Sequence, residues 1–182
     1  SPKYLIGESY GTTRVSGLAL ELQSAHWMYL NGVILVSPTE LGIERQGPVE
    51  AALRLPYYAA TAWYHKKLPA VLQQKDLLEV LPEVENFTIQ KLLPGLAKGS
   101  SLPAAEKKEL LETFAKYSGL STQAVMQYNG DVPVNFFWKE LLRDQNFTVG
   151  RLDSRYKGVD KMPAGDGPDF NAELTSWSHS FT

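Results

Sequence analysis

Apolar residues in the first forty positions follow two different spacings. Tyr4-Leu5-Ile6 is a short apolar run ending at a glycine, which predicts a short buried strand. Between Val15 and Leu22 the apolar residues fall three and four positions apart, which predicts an amphipathic helix ending near residues 24–26. After the turn signal Asn31-Gly32, the run over 33–36 is typical of a parallel strand buried on both faces. This order of elements is one βαβ unit.

From about residue 47 onward the pattern is helical. It predicts helices over 48–67, with a kink or split at Pro56, over 69–81, and over 83–98, softened at Pro94. It also predicts a helix over 104–117 that Gly119 ends, a short helix that Ser121 caps and that ends at 129–130, and a helix over 134–144. Beyond Val149 glycine and proline predict a long loop. We therefore expect a mostly α protein with two parts: residues 1–45, holding a partial parallel sheet, and residues 46–182, forming a helical lobe.

Composition and charge exclude several classes of function. The chain has 182 residues, a formal net charge of -2 and no cysteine, so disulfides, thiolate nucleophiles and cysteine-bound metals are excluded. No basic stripe stands out, which argues against nucleic-acid binding. The longest strongly apolar run, 32–36, is too short to cross a bilayer. We predict no metal, no cofactor, no nucleic acid and no membrane among its ligands and partners.

The segment Gly7-Glu8-Ser9-Tyr10-Gly11 is a Gly-x-Ser-x-Gly motif between a predicted strand and a predicted helix. In this context the motif predicts a nucleophile elbow, a strained turn that exposes the serine hydroxyl. The glycines are expected to let strand and helix approach each other. The N–H of Tyr10, at the helix N-terminus, is placed to donate to an oxyanion. The alternative is that Ser9 only caps the helix.

A nucleophilic serine needs a base and an orienting carboxylate, and the chain has three histidines. His26 lies about 25 Å from Ser9 along the predicted helix, because each residue adds about 1.5 Å. His65 lies in the helical lobe. His179 follows Asp166 and Asp169 in the expected order, but no strand precedes either aspartate. We prefer surface or core roles for all three.

Four segments spread over most of the chain, at residues 4–12, 31–38, 55–65 and 149–156, carry a resemblance to a known family. Through these segments the sequence resembles the serine carboxypeptidase family in its bacterial branch. It implies an α/β-hydrolase fold with a helical cap inserted over the active site. The chain would then hold a strand–elbow–helix–strand remnant of the parallel sheet in 1–45 and the cap in 46–182.

The resemblance also implies roles for three residues. Ser9 would be the nucleophile that forms an acyl-enzyme with peptide substrates, and Tyr10 would give one oxyanion N–H. Glu8 would help to bind the C-terminal carboxylate of the substrate. Two carboxylates can pair only by sharing a proton, which requires partial burial or a second carboxyl group and predicts a preference for acidic pH. A periplasmic or secreted location is favoured.

The sequence departs from the family in lacking the glycine-rich oxyanion loop and the triad aspartate and histidine. We therefore expect an internal piece of a carboxypeptidase that is inactive alone. One alternative is an esterase, thioesterase or acyltransferase on the same scaffold, and another is a non-catalytic helical interaction module. Unpaired strand edges in the sheet predict association with a second copy.

Overall fold

The computed structural model describes residues 1–38, 47–168 and 172. Within it the chain divides into two compact units, Ser1–Arg45 and Gln46–Thr182. The assignment of these units as a partial hydrolase core and a cap stays a prediction.

The first unit is one βαβ element. Strand β1 (Tyr4–Glu8) leads into helix α1 (Tyr10–His26), and strand β2 (Gly32–Val36) returns parallel to β1. The register pairs Tyr4 with Gly32 and Glu8 with Val36. Asn31 begins the pairing, because its backbone N–H donates to the carbonyl of Lys3 while its side-chain oxygen accepts the N–H of Lys3. The two predicted strands and their parallel pairing are confirmed.

The predicted burial of these strands on both faces is wrong for the described residues. Ile6 is 68% exposed and Ile34 is 50% exposed, and Tyr4, Val33 and Val36 are also exposed. The apolar run does give a parallel strand, but two strands and one helix are too few to cover both faces of a sheet. The larger parallel sheet that the resemblance implies is not among the described residues.

The second unit is mostly helical. Its helices are α2 (Gly47–Leu53), α3 (Leu55–Tyr64), α4 (Ala70–Gln73), α5 (Leu77–Phe87), a π-helix (Thr88–Leu92), α6 (Leu93–Lys98), α7 (Ala104–Ser118), α8 (Thr122–Gln127) and α9 (Val134–Glu140). Short 3₁₀ turns lie at Gly99–Ser101 and Arg143–Gln145. The expected mostly α class is thus confirmed.

Local chemistry sets several of these helix ends. Pro56 lies in the first turn of α3, so the predicted break after α2 is confirmed. Gly119 ends α7 in a left-handed conformation at φ 71°, as predicted. Ser121 caps α8 by accepting the N–H of Ala124 at 3.1 Å.

Four predicted elements are wrong. The single helix over 69–81 is two helices, because Asp76 forms a capping box with Glu79 and starts α5 there. The helix over 83–98 is interrupted by the π-helix, and the one over 134–144 ends at Glu140. The predicted loop after Val149 contains strand β4 (Lys157–Val159), which pairs antiparallel with β3 (Phe147–Val149).

The core of the second unit lies where α3, α7 and α9 meet. The ring of Tyr58 stacks on Phe137 with a centroid distance of 4.0 Å, and Phe114 approaches its edge. All three side chains are fully buried. The hydroxyl of Tyr58 donates to the carbonyl of Val132 at 2.9 Å, so burying this tyrosine leaves no hydroxyl unsatisfied. Its pKa is raised, mainly by that burial.

A buried ion pair joins α9 to the segment after β4. The ammonium of Lys139 is fully buried and lies 3.0 Å from a carboxylate oxygen of Asp160, which is 4% exposed. Lys139 also donates to the carbonyl of Met162 at 2.5 Å. Two oxygen acceptors therefore compensate the desolvation of this ammonium, and the pair holds the 160–162 segment against α9.

Candidate active site

Ser9 lies at the turn between β1 and α1. Its backbone N–H donates to the carbonyl of Val36 at 2.9 Å, which ties the turn to the end of β2. Its carbonyl accepts the backbone N–H of Thr12 at 2.9 Å and the hydroxyl of Thr12 at 2.7 Å. Thr12 is fully buried. These bonds fix the backbone of Ser9 from both sides, and the residue itself is exposed.

The backbone of Ser9 has an unusual conformation, with φ 53° and ψ -126°. Positive φ is uncommon outside glycine, and this ψ is far from the left-handed helical value. Trp27, at φ 50° and ψ 27°, has that ordinary left-handed conformation. The angles of Ser9 instead suit the first central position of a type II′ turn, which glycine normally occupies. A serine held there stores strain of about 1–3 kcal/mol.

The backbone and side chain of Ser9 differ from those of a residue that only caps a helix. Ser9 occupies the N-cap position of α1, but its side chain makes no capping hydrogen bond. A capping serine also has an extended backbone, as Ser121 does at φ -69° and ψ 148°. The conformation of Ser9 is therefore not that of a capping residue.

The two glycines of the motif differ in what they contribute. A β-carbon on Gly7 would lie 2.3 Å from the carbonyl oxygen of Gly11, so residue 7 must be glycine for the strand and the helix to meet. A β-carbon on Gly11 would meet nothing within 4 Å. The expectation that both glycines are required for close approach is confirmed for Gly7 and wrong for Gly11, whose backbone is the surface against which Gly7 packs.

Tyr10 is the first residue of α1, so its N–H has no acceptor within the helix. That N–H and the dipole of α1 are available to a developing negative charge beside Ser9. The side chain of Tyr10 is 58% exposed, and the guanidinium of Arg14 lies 5.3 Å from the centre of its ring. Tyr10 therefore offers both a backbone donor and an exposed ring at the start of α1.

Glu8, the last residue of β1, is exposed. The partial burial that proton sharing with a substrate carboxylate requires is not provided by the described residues of the first unit. A bound substrate or further polypeptide would have to supply it. The substrate-binding role of Glu8 stays a prediction.

No histidine is close to Ser9 within the described part of the first unit. His26 is the last residue of α1, about 25 Å from Ser9 at about 1.5 Å per residue. His65 belongs to the second unit, where its Nε2 lies 2.6 Å from the carbonyl oxygen of Ser154. Burial lowers the pKa of His65. His179 and Asp169 lie outside the described residues.

The described residues contain no group of three histidine or acidic side chains that could hold a metal ion. Among the same residues no helix is long and apolar enough to span a bilayer.

A cavity of about 240 Å³ lies in the second unit and was not predicted from the sequence. It is lined by residues of α2, α6 and α7 and the turn after α8. No sequence signal marks it, because four separate segments form it.

The chain was compared with protein-family models, with curated proteins and with solved structures, and none of them matches it.

Proposed function

We propose that Ser9 is the nucleophile of a serine hydrolase that acts through an acyl-enzyme. The observation that carries the proposal is the backbone of Ser9, held at φ 53° and ψ -126° on an exposed strand-to-helix turn. Strained backbone of this kind concentrates at functional sites. The strand–turn–helix context is the one that a Gly-x-Ser-x-Gly elbow requires.

The reaction would begin with attack of Ser9 Oγ on the carbonyl carbon of the substrate while a base takes the hydroxyl proton. The electron pair of the carbonyl moves to its oxygen, and the Tyr10 N–H and the dipole of α1 stabilise that oxyanion. Collapse of the intermediate expels the leaving group, which takes a proton, and leaves an ester on Ser9. Attack by water then releases the acid and restores the hydroxyl.

We propose further that the 182-residue chain does not turn over peptides by itself. His26 is too far from Ser9, and the described residues of Ser1–Arg45 offer no other imidazole to accept the hydroxyl proton. Without a base, a serine hydroxyl is a weak nucleophile near neutral pH. The turn geometry and the oxyanion donor would still favour Ser9 over other serines if a base were added.

The substrate class that we propose is a peptide with a free C-terminal carboxylate. Support comes from the resemblance of residues 4–12 to the serine carboxypeptidase motif and from Glu8, which lies next to the nucleophile. An esterase or acyltransferase on the same scaffold would share Ser9 and Tyr10 but would have no need of Glu8. Discrimination at the C-terminal group of the ligand therefore separates the two candidates.

A protection experiment tests the substrate class. The chain is treated with a fluorophosphonate at about pH 6, where Glu8 can still share a proton with a peptide carboxylate and part of the added imidazole is an unprotonated base, with and without an N-blocked peptide. We expect the free-acid peptide to slow labelling of Ser9 more than the C-terminal amide does, and Glu8→Gln to reduce this difference. Equal protection by acid and amide would favour the esterase or acyltransferase.

A second proposal concerns self-association of the first unit. Its parallel strands expose Ile6, Ile34 and Val36, and apolar patches of this kind favour contact with more polypeptide. We propose that two copies associate through these strands. Light scattering over a concentration series should show a dimer for the wild type and less of it for Ile6→Lys, and a monomer at all concentrations would contradict the proposal.

A further inference from the structure

The cavity in the second unit is small and mostly apolar. Ala51 of α2, Leu96 of α6 and Leu110 of α7 contribute to its walls. Gly95 also lines it, and a β-carbon there would lie 2.6 Å from a methyl carbon of Leu110. The volume of about 240 Å³ is below the range of about 300–1,000 Å³ that is usual for drug-sized ligands. An occupant of about eight heavy atoms fits, because a water molecule, with its one heavy atom, takes about 30 Å³ in the liquid.

Two groups of opposite charge line the same cavity. Lys107, on α7, is a half-buried residue, and its ammonium makes an exposed hydrogen bond of 2.8 Å to the side-chain oxygen of Asn129. Asp131, two residues further along the turn, accepts from Arg54 at 3.2 Å through one carboxylate oxygen and is 63% exposed. Lys107, Asn129 and Asp131 all line the cavity, and the amide of Asn129 fixes the position of the ammonium there.

The turn that carries these groups is well fixed. Asn129 and Gly130 both have positive φ, at 52° and 85°, and the N–H of Asp131 donates to the carbonyl of Tyr128 at 2.9 Å. A β-carbon on Gly130 would lie 2.8 Å from a methyl carbon of Leu111. Residue 130 must therefore be small and tolerate positive φ, which keeps Asn129 and Asp131 in place at the cavity.

We propose that this cavity binds a free α-amino acid with an aliphatic side chain, such as leucine. The ligand carboxylate would pair with Lys107, its ammonium group with Asp131, and its side chain would fill the apolar space beside Ala51, Leu96 and Leu110. A zwitterion matches a rim with one cation and one anion better than a simple carboxylic acid or amine does. The inference is independent of Ser9, because every residue in it belongs to 46–182.

A titration followed by backbone amide chemical shifts tests the proposal. The intact chain is titrated with leucine, with 4-methylpentanoate, which lacks the ammonium group, and with 3-methylbutylamine, which lacks the carboxylate. We expect leucine to give saturable shifts at Ala51, Gly95 and Asn129. Each analogue should bind about tenfold more weakly, since hydrogen bonds to charged groups stabilise by about that factor.

Two charge variants assign the contacts. Lys107→Gln should weaken leucine and 4-methylpentanoate about tenfold and leave the amine unchanged, while Asp131→Asn should weaken leucine and the amine and leave the acid unchanged. Lys108→Gln is the matched control for the cation, because Lys108 is exposed and pairs with Glu112 outside the cavity. Asp144→Asn is the matched control for the anion, because Asp144 pairs with Lys67 elsewhere.

Leu102→Phe, which fills the cavity without changing its charge, covers the case in which a charge variant fails to fold. Loss of leucine binding in this variant, with an unchanged circular dichroism spectrum, supports the proposal. The absence of saturable shifts in the wild type, or equal affinities for Lys107→Gln and Lys108→Gln, would overturn it. The Ser9→Ala variant should bind leucine normally. A failure of the amino-acid site can therefore be distinguished from a failure of the proposal that Ser9 is a nucleophile.

Discussion

Replacing Ser9 by glycine should make the first unit more stable while removing its proposed nucleophile. Serine at φ 53° and ψ -126° carries about 1–3 kcal/mol of strain, which glycine does not. Glycine loses more backbone entropy on folding, at a cost of about 0.5–1 kcal/mol. The expected net gain is about 1 kcal/mol, which is about a fivefold change in an opening equilibrium. Ser9→Ala removes the same hydroxyl but keeps the strain, so it is the reference variant against which the gain from glycine is measured.

Native-state hydrogen exchange is the suitable assay, because the two units need not unfold together. The reporters are amides of β1 and α1 away from residues 8–10, where the substitution does not change the intrinsic exchange rate. We expect about fivefold slower exchange in Ser9→Gly than in Ser9→Ala. Equal rates in the two variants, or faster exchange in Ser9→Gly, would refute the claim that Ser9 is strained.

Three further predictions concern the glycines, the buried ion pair and the half-buried histidine. Gly7→Ala should destabilise the first unit by at least about 2 kcal/mol in the same exchange assay, whereas Gly11→Ala should be neutral or slightly stabilising. Equal effects of the two substitutions would contradict the close packing of Gly7 against the backbone of Gly11. Asp160→Asn should lower the unfolding free energy in urea by about 3–5 kcal/mol, because Lys139 keeps a buried charge. Adding Lys139→Met to this variant should recover more than half of the lost unfolding free energy. If the effects of the two single substitutions simply add in the double variant, the two side chains are not energetically coupled. Burial lowers the pKa of His65, so the folded state favours the neutral ring. The contribution of His65 to the unfolding free energy is therefore fully present above about pH 6.5 and is lost as the pH falls through the folded pKa. A His65→Gln variant whose stability has the same pH dependence between pH 8 and 5 would exclude this cause.

Much of the local structure could be predicted from particular residues. The motif at 7–11 gave the strand–turn–helix order, and Gly119 and Ser121 gave the end of one helix and the start of the next. These features depend on backbone conformation and on hydrogen bonds within a few residues. Short-range chemistry of this kind is visible in a single sequence.

Features that depend on distant residues could not be predicted. β4 is three residues long and is defined by its pairing with β3, which no periodicity reveals over so short a run. The π-helix at 88–92 precedes Pro94, whose missing N–H cannot bond the carbonyl of Gln90. Pro94 suggested a weak point in the helix, but not how the chain would accommodate it.

The candidate site was predictable at Ser9 and only in part around it. The sequence indicated an exposed hydroxyl on a strained turn, and the turn geometry has that form. It did not show that Gly11 has open space, nor that Lys107 and Asp131 line one cavity. Both facts come from the packing of separate segments, which spacing along the chain does not encode.

The most direct test of the central claim is to locate a covalent adduct by mass spectrometry after fluorophosphonate treatment with imidazole. We expect the adduct on Ser9, none on Ser16 or Ser24 of α1, and no adduct in Ser9→Ala. Imidazole should be needed, because the described residues of the first unit supply no base. An adduct on another residue, or labelling that Ser9→Ala does not change, would contradict the claim that Ser9 is the nucleophile.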